Sequence, residues 1–306
     1  MKNIVYLIFF CLLIIVLAIL LNNITLTKKI EFIRKELPQL FVLEKPETYL
    51  FLGKMGYGYQ GGENTDSIFV VYLKRNKAYI IHIPRDLIVR VDNNLYKINS
   101  LYALGKKREL LAEVSNLTGF NVQKYVVFDI HIIKKIVDIL GGLEVDLKYP
   151  VTDALTGYTL PAGKRKLNSE WIEFVLRSRY YPQGDFTRME NQFIIIKSLK
   201  ERLKNISFNE YLKLTNLILQ SKRNIETNLN YREIFNLADK LKKSQFIDII
   251  LDFNTNLWLS DYFEIKVDDE NFFYINGLIP KDGIGQYEQI RTKIQEKITE
   301  AFKKTY

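Results

Sequence analysis

The chain has 306 residues, 47% of them hydrophobic, and a formal net charge of +9. That length and apolar content exclude a disordered chain and a disulfide-stapled miniprotein, and supply surface enough for one large or two modest domains. The single cysteine, Cys11, excludes an intrachain disulfide and a cysteine-based metal site, and two histidines, His82 and His131, argue against a histidine-based one.

Residues 4–21 are nearly unbroken hydrocarbon, about the length that a bilayer core requires, with no small-residue cleavage site. They predict an uncleaved single-pass anchor behind a short tail at residues 1–3. Lys28, Lys29, Arg34 and Lys35 follow the run while only Lys2 precedes it, a balance that by itself favours a cytoplasmic domain. Residues 22–46 read as a linker and residues 47–306 as the folded domain.

Residues 49–53 predict a short buried strand opening into a glycine-rich loop, GKMGYGYQGGEN, which does not match a P-loop. Two apolar runs, 68–73 and 78–83, then predict a hairpin buried on both faces. With Arg75 and Asn76 as its loop, Asp66 comes opposite Arg85, at a sheet rim of the kind where α/β proteins bind ligands. Lys97, Ile98 and Asn99 follow in a predicted loop. Residues 108–117 predict a helix closed by Gly119, with Leu110, Leu111, Val114 and Leu117 inward. A strand at 125–128, a helix at 130–140 stopped by Gly141 and Gly142, and a strand at 143–147 read as a βαβ unit of a partly parallel sheet.

Residues 168–203 concentrate the charged groups that carry chemistry. Asn168 or Ser169 is placed to cap a helix with Trp171, Phe174 and Val175 at helical spacing, running out at Arg177 and Arg179. Pro182 and Gly184 break it. Asp185 is placed to cap the next helix, with Met189, Phe193, Ile196, Leu199 and Leu203 as its apolar stripe, so Arg188 falls in the first turn and shares a face with Gln192. Guanidinium groups beside the unpaired N–H groups of a helix start predict an anion site. Beyond it, residues 208–219 and 231–242 predict helices, 247–253 a strand, and 286–303 a basic amphipathic helix.

The segments RSRY and GDFTRMENQ resemble the RxR…D…R…Q signature of the LytR-CpsA-Psr family of cell-envelope phosphotransferases. TDS, IPRDL, the Lys97-Ile98-Asn99 segment and VDILGGLEVDL resemble further motifs of that family. The resemblance implies an α/β fold, a three-layer α/β/α domain with a mixed sheet, preceded by one N-terminal transmembrane helix and standing outside the cytoplasm at the cell membrane. It implies transfer of a glycosyl-phosphate from a polyprenyl diphosphate carrier to a peptidoglycan hydroxyl. Asp66, Arg85 and Arg179 are then the catalytic candidates. Arg85, Lys97, Asn99, Arg177, Arg179, Asp185, Arg188 and Gln192 become the diphosphate-binding set, and Asp66 the ligand of a Mg²⁺ ion.

Two positions depart from the family pattern: Asn64 stands where an arginine is usual, and Lys54 and Met55 follow Gly53 where a second metal carboxylate is usual. The metal site is thereby weakened to one carboxylate, and Lys54 is predicted to neutralise diphosphate oxygens as a point charge. The same losses favour an alternative, a polyprenyl-diphosphate-binding envelope protein without turnover. A membrane-linked transcriptional regulator ranks third, because no helix-turn-helix, zinc finger or RNA-binding signature accompanies the positive charge.

Overall fold

The computed structural model describes residues 46–153, 156–178, 184–221, 223–266 and 272–303. The predicted anchor lies outside them, and among the described residues no helix is long and apolar enough to cross a membrane. The first part of the domain runs β1 (Glu47–Lys54), β2 (Thr65–Lys74), β3 (Lys77–His82), β4 (Ile88–Val91), β5 (Asn94–Lys97), α1 (Ser100–Ala103), α2 (Lys107–Thr118), β6 (Lys124–Asp129), α3 (Ile130–Ile139) and β7 (Leu143–Leu147). Then come β8 (Val151–Thr152), β9 (Thr159–Leu160), β10 (Gly163–Leu167), α4 (Ser169–Arg177), α5 (Asp185–Leu203), α6 (Phe208–Gln220), β11 (Ile225–Thr227) and α7 (Tyr231–Lys243). The chain closes with β12 (Gln245–Ile249), a 3-10 turn at Phe253–Thr255, β13 (Trp258–Lys266), β14 (Phe272–Pro280) and α8 (Glu288–Lys303).

The main sheet has the order β11-β6-β1-β2-β3-β12 and is mixed, with β1 parallel to β6 and β3 parallel to β12. Alternation along its strands divides the core in two. Leu50, Leu52, Ile68, Val70, Tyr79 and Ile81 face α2 and α8, whereas Tyr49, Phe69, Val71, Ala78 and Ile80 face α7 and the middle of α5. Helices therefore cover both faces. In α8, Ile290, Ile294 and Ile298 recur every fourth residue and are buried, a contribution on the order of 1.5–3 kcal/mol each. A third cluster joins α3, α4, α5 and α6 to β7 and β10.

The β2–β3 hairpin has the predicted register. Lys74 pairs with Lys77 and Phe69 with His82, and Arg75 takes a left-handed φ of 56° in the turn. Gly119 closes α2 in the left-handed conformation as expected, and Asn168 caps α4 by accepting from Trp171 N–H.

Three expectations are corrected. β7 does not join the sheet of β6; it pairs antiparallel with β10, so the parallel neighbour of β6 is β1. The Glu144 and Asp146 side chains alternate with buried Leu143, Val145 and Leu147, a pattern suited to a strand with one wet face rather than a doubly covered one. The strand expected at 247–253 is Gln245–Ile249, ended before the Asp252-capped 3-10 turn. Lys97 is the last residue of β5 rather than a loop residue, because Asp92 and Asn93, both at positive φ, turn the chain into a hairpin.

Candidate functional site

The hairpin register, extended past its last pair, sets Asp66 against Arg85, and the two side chains form an ion pair. Three segments distant in sequence are stitched together around it. Thr65 N–H donates to Asn99 O at 3.0 Å and Asn99 N–H to Arg85 O at 3.3 Å, which buries Asn99. Lys97 Nζ lies 2.8 Å from Asp86 Oδ1, and Arg85 Nε is 3.6 Å from Asp86 Oδ2.

The corner between α4 and α5 brings in the remaining arginines. Arg177 ends α4, and its Nη1 lies 3.1 Å from Glu173 Oε1, one turn back. The cap of α5 is a correction: Gly184, at a φ of 53°, is the N-cap, and Asp185 is the first helical residue. The Asp185 carboxylate turns instead to Arg188, whose Nη2 approaches Oδ1 to 2.6 Å. Arg188 is only 2% exposed. Its Nε and that of Arg85 are buried and make no hydrogen bond among the described residues. Arg179 lies outside the described residues.

Sequence reasoning missed the group that holds this corner. Glu173 accepts from Tyr59 at 2.7 Å, from Lys134 at 2.6 Å and from Arg177 at 3.1 Å, while the Arg177 guanidinium sits 5.1 Å from the centre of the Tyr59 ring. The glycine-rich loop is thus tied to α3 and α4. It is also folded tightly on itself: Gly56 N–H donates to Gly62 O, and a Cβ on Gly62 would lie 1.9 Å from Gly56 O. The Glu173–Arg177 spacing is the one signal in the sequence that marks this hub.

Burial favours the neutral form of Glu173, but the bonds from Lys134, Tyr59 and Arg177 outweigh it and hold the carboxyl below the ordinary glutamate range. A depressed folded value makes its stabilisation fully present above the unfolded value and lost as pH falls through the folded one. Glu173→Gln is therefore expected to flatten the acid side of the stability profile, below the ordinary glutamate range, in urea titrations. An unaltered acid limb would remove Glu173 from this role.

Arg85, Lys97, Asn99, Arg177, Arg188 and Asp66 line one polar cavity of about 1200 Å³. A second space, about 250 Å³, is a channel between the sheet and α5 walled by Phe51, Phe69, Phe128, Ile133, Ile196 and Leu199. Met55, Asp66 and Leu176 border both. Two expected cavity residues are found at the channel instead. Gln192 accepts from Ser67 Oγ at 3.0 Å, and Lys54, with a side chain only 13% exposed, is 2.5 Å from Glu63 and 5.6 Å from the Tyr102 ring centre. A neighbouring carboxylate thus already meets the lysine charge.

The candidate site thus pairs an arginine-lined polar cavity with an apolar space that shares three of its lining residues. The chain belongs to the LytR-CpsA-Psr family, whose sequence model, LytR_cpsA_psr, matches residues 24–271. Among curated relatives, the polyisoprenyl-teichoic acid–peptidoglycan teichoic acid transferase TagV of Bacillus subtilis (strain 168) is 29% identical over 203 residues, 62% of this chain and 51% of TagV. TagU of Bacillus cereus, named for the same transfer, is 28% identical over 214 residues, 67% of this chain and 69% of TagU. The regulatory protein MsrR of Staphylococcus aureus is 29% identical over 182 residues, 58% of this chain and 55% of MsrR. The chain thus spans about half the length of TagV and MsrR. The fold is shared with B. subtilis TagV (TM-score 0.56, 23% identity, 83% of this chain and 98% of that one) and with TagT bound to LIIa-WTA (TM-score 0.59, 15% identity, 86% and 94%).

Proposed function

We propose that the protein is a membrane-anchored transferase that moves a glycosyl-phosphate from a polyprenyl diphosphate carrier to a hydroxyl of peptidoglycan. The observation that carries this reading is the junction at Asp66, where the arginine-lined cavity meets the apolar channel. A diphosphate held there by Arg85, Arg188 and Arg177 would send its isoprenoid tail into the channel and its sugar into the cavity. The acceptor oxygen bonds to the sugar-linked phosphorus, the bond from that phosphorus to the bridging oxygen breaks, and polyprenyl phosphate leaves with the bond's electrons. Arginines neutralise the charge on the non-bridging oxygens and the leaving phosphate. The Asp66 carboxylate is within the site to take the proton of the attacking hydroxyl.

Among the described residues no group of three His, Cys, Asp or Glu side chains is arranged to hold a metal. The donor set fits a Mg²⁺ ion only in a shared form, with Asp66 supplying its oxygen free of Arg85 and substrate phosphates the remainder. Such an ion would supply further charge neutralisation at the phosphate. That Asp66 already pairs with Arg85 is also what favours the second reading, a protein that binds the diphosphate lipid without turnover.

Mass spectrometry of lipids copurifying with the detergent-extracted protein is expected to find a polyprenyl diphosphate, and incubation with peptidoglycan to convert it to the monophosphate. A retained diphosphate lipid without conversion would select the binding-only reading. Ordinary phospholipid alone would overturn both. We place the domain outside the cytoplasm, so protease added to intact spheroplasts should remove it; protection until lysis would reverse the orientation.

A further inference from the structure

One wall of the polar cavity is apolar and belongs to the last hairpin of the chain. Phe273 and Ile275 of β14 line the cavity with Tyr96 and Leu104. The base of the hairpin fixes their place. Leu278 N–H donates to Asp86 O at 2.9 Å and Leu278 forms a parallel bridge with Leu87, so β14 is bonded directly to the segment that carries Arg85. At Gly277 a Cβ would lie 2.4 Å from Ile88 Cδ1, and the missing side chain is what lets β14 cross β4 at that distance.

Residues alternate between the two faces of β14. Positions 273, 275 and 277 share the face toward β4 and the cavity, whereas Tyr274 stands on the other and donates to Glu264 at 3.0 Å. Phe273 is 61% exposed, an aromatic ring left open beside a cavity whose wall also carries the amides of Gln60 and Asn64. A pyranose ring presents a C–H face and a rim of hydroxyls. An open aromatic face next to amide groups matches both surfaces, whereas a free phosphate or an isoprenoid would use only one kind of group.

We infer that Phe273 is a stacking platform for the sugar ring next to the diphosphate, with Gln60 and Asn64 reaching its hydroxyls. This rests on the diphosphate-lipid reading above. The test compares two short-chain polyprenyl diphosphates, one bearing a single N-acetylhexosamine and one without sugar, on the full chain in detergent. Phe273→Ala is expected to weaken the sugar-bearing ligand about tenfold, or about 1.4 kcal/mol, and to leave the sugar-free ligand unchanged. Phe273→Tyr keeps the ring and should retain binding, and Tyr274→Ala should alter neither ligand. An equal loss on both ligands, the result expected if the hairpin met membrane or only held the cavity in shape, overturns the inference, as does no loss on either. Failure of the natural protein to bind both ligands would overturn the diphosphate reading itself and the platform with it.

Discussion

Replacing Arg188 by alanine is expected to destabilise the domain by about 3–5 kcal/mol, because it leaves the buried oxygens of the Asp185 carboxylate without a counter-charge. Arg188 is among the largest fully buried side chains of the protein, and Asp185 is its only charged partner among the described residues. The same change should weaken diphosphate-lipid binding roughly thirtyfold or more, the usual cost of about 2–5 kcal/mol for truncating a buried charged partner. Stability and binding can be pulled apart. Arg188→Met combined with Asp185→Asn removes both charges at similar volume and should recover most of the stability, since a buried pair is often no better than an apolar replacement. Binding should stay lost. A double variant that unfolds like the natural protein yet binds normally would exclude Arg188 from the anion site.

The second large effect is expected at Asp66. Asp66→Asn keeps an oxygen to accept from Arg85 but cannot take a proton from an attacking hydroxyl, so transfer should fall on the order of 10²–10³-fold. Binding of the diphosphate lipid should hold or tighten, because a negative charge leaves the rim of the cavity. Measuring lipid conversion and lipid affinity on the same preparation separates these effects. Undiminished transfer would sink the role of Asp66, and affinity lost in step with transfer would make it a binding group alone.

These two sites differ in how far they can be read from sequence. Asp66 and Arg85 are legible because a two-residue hairpin loop fixes its register, and every pair after it follows by counting. Asp185 misleads for a physical reason: an aspartate at a helix start reads as a cap, but Arg188 three residues on competes for the carboxylate and Gly184 supplies the turn. Lys54 misleads in the same manner, since nothing local announces that Glu63, across a folded glycine loop, takes its charge. The Glu173 hub gathers Tyr59 and Lys134 from separate elements, which no local periodicity records. The β13–β14 hairpin is hidden because Tyr262, Phe273 and Tyr274 leave aromatic surface open on both of its faces, so the alternation that marks a half-buried strand is missing.

The site also has an order of assembly written into its connectivity. Asp66 and Arg85 are 19 residues apart and meet through one hairpin, whereas the Ser67–Gln192 bond in the wall of the channel spans 125 residues. Closing the short loop costs little chain entropy and closing the long one more. One half of the candidate site can therefore form in a partly folded chain, but the whole site forms only after α5 has docked. On the proposed function, a lipid diphosphate that needs both halves would bind the finished domain alone and stabilise it by mass action, so the ligand would hold the domain in its final state.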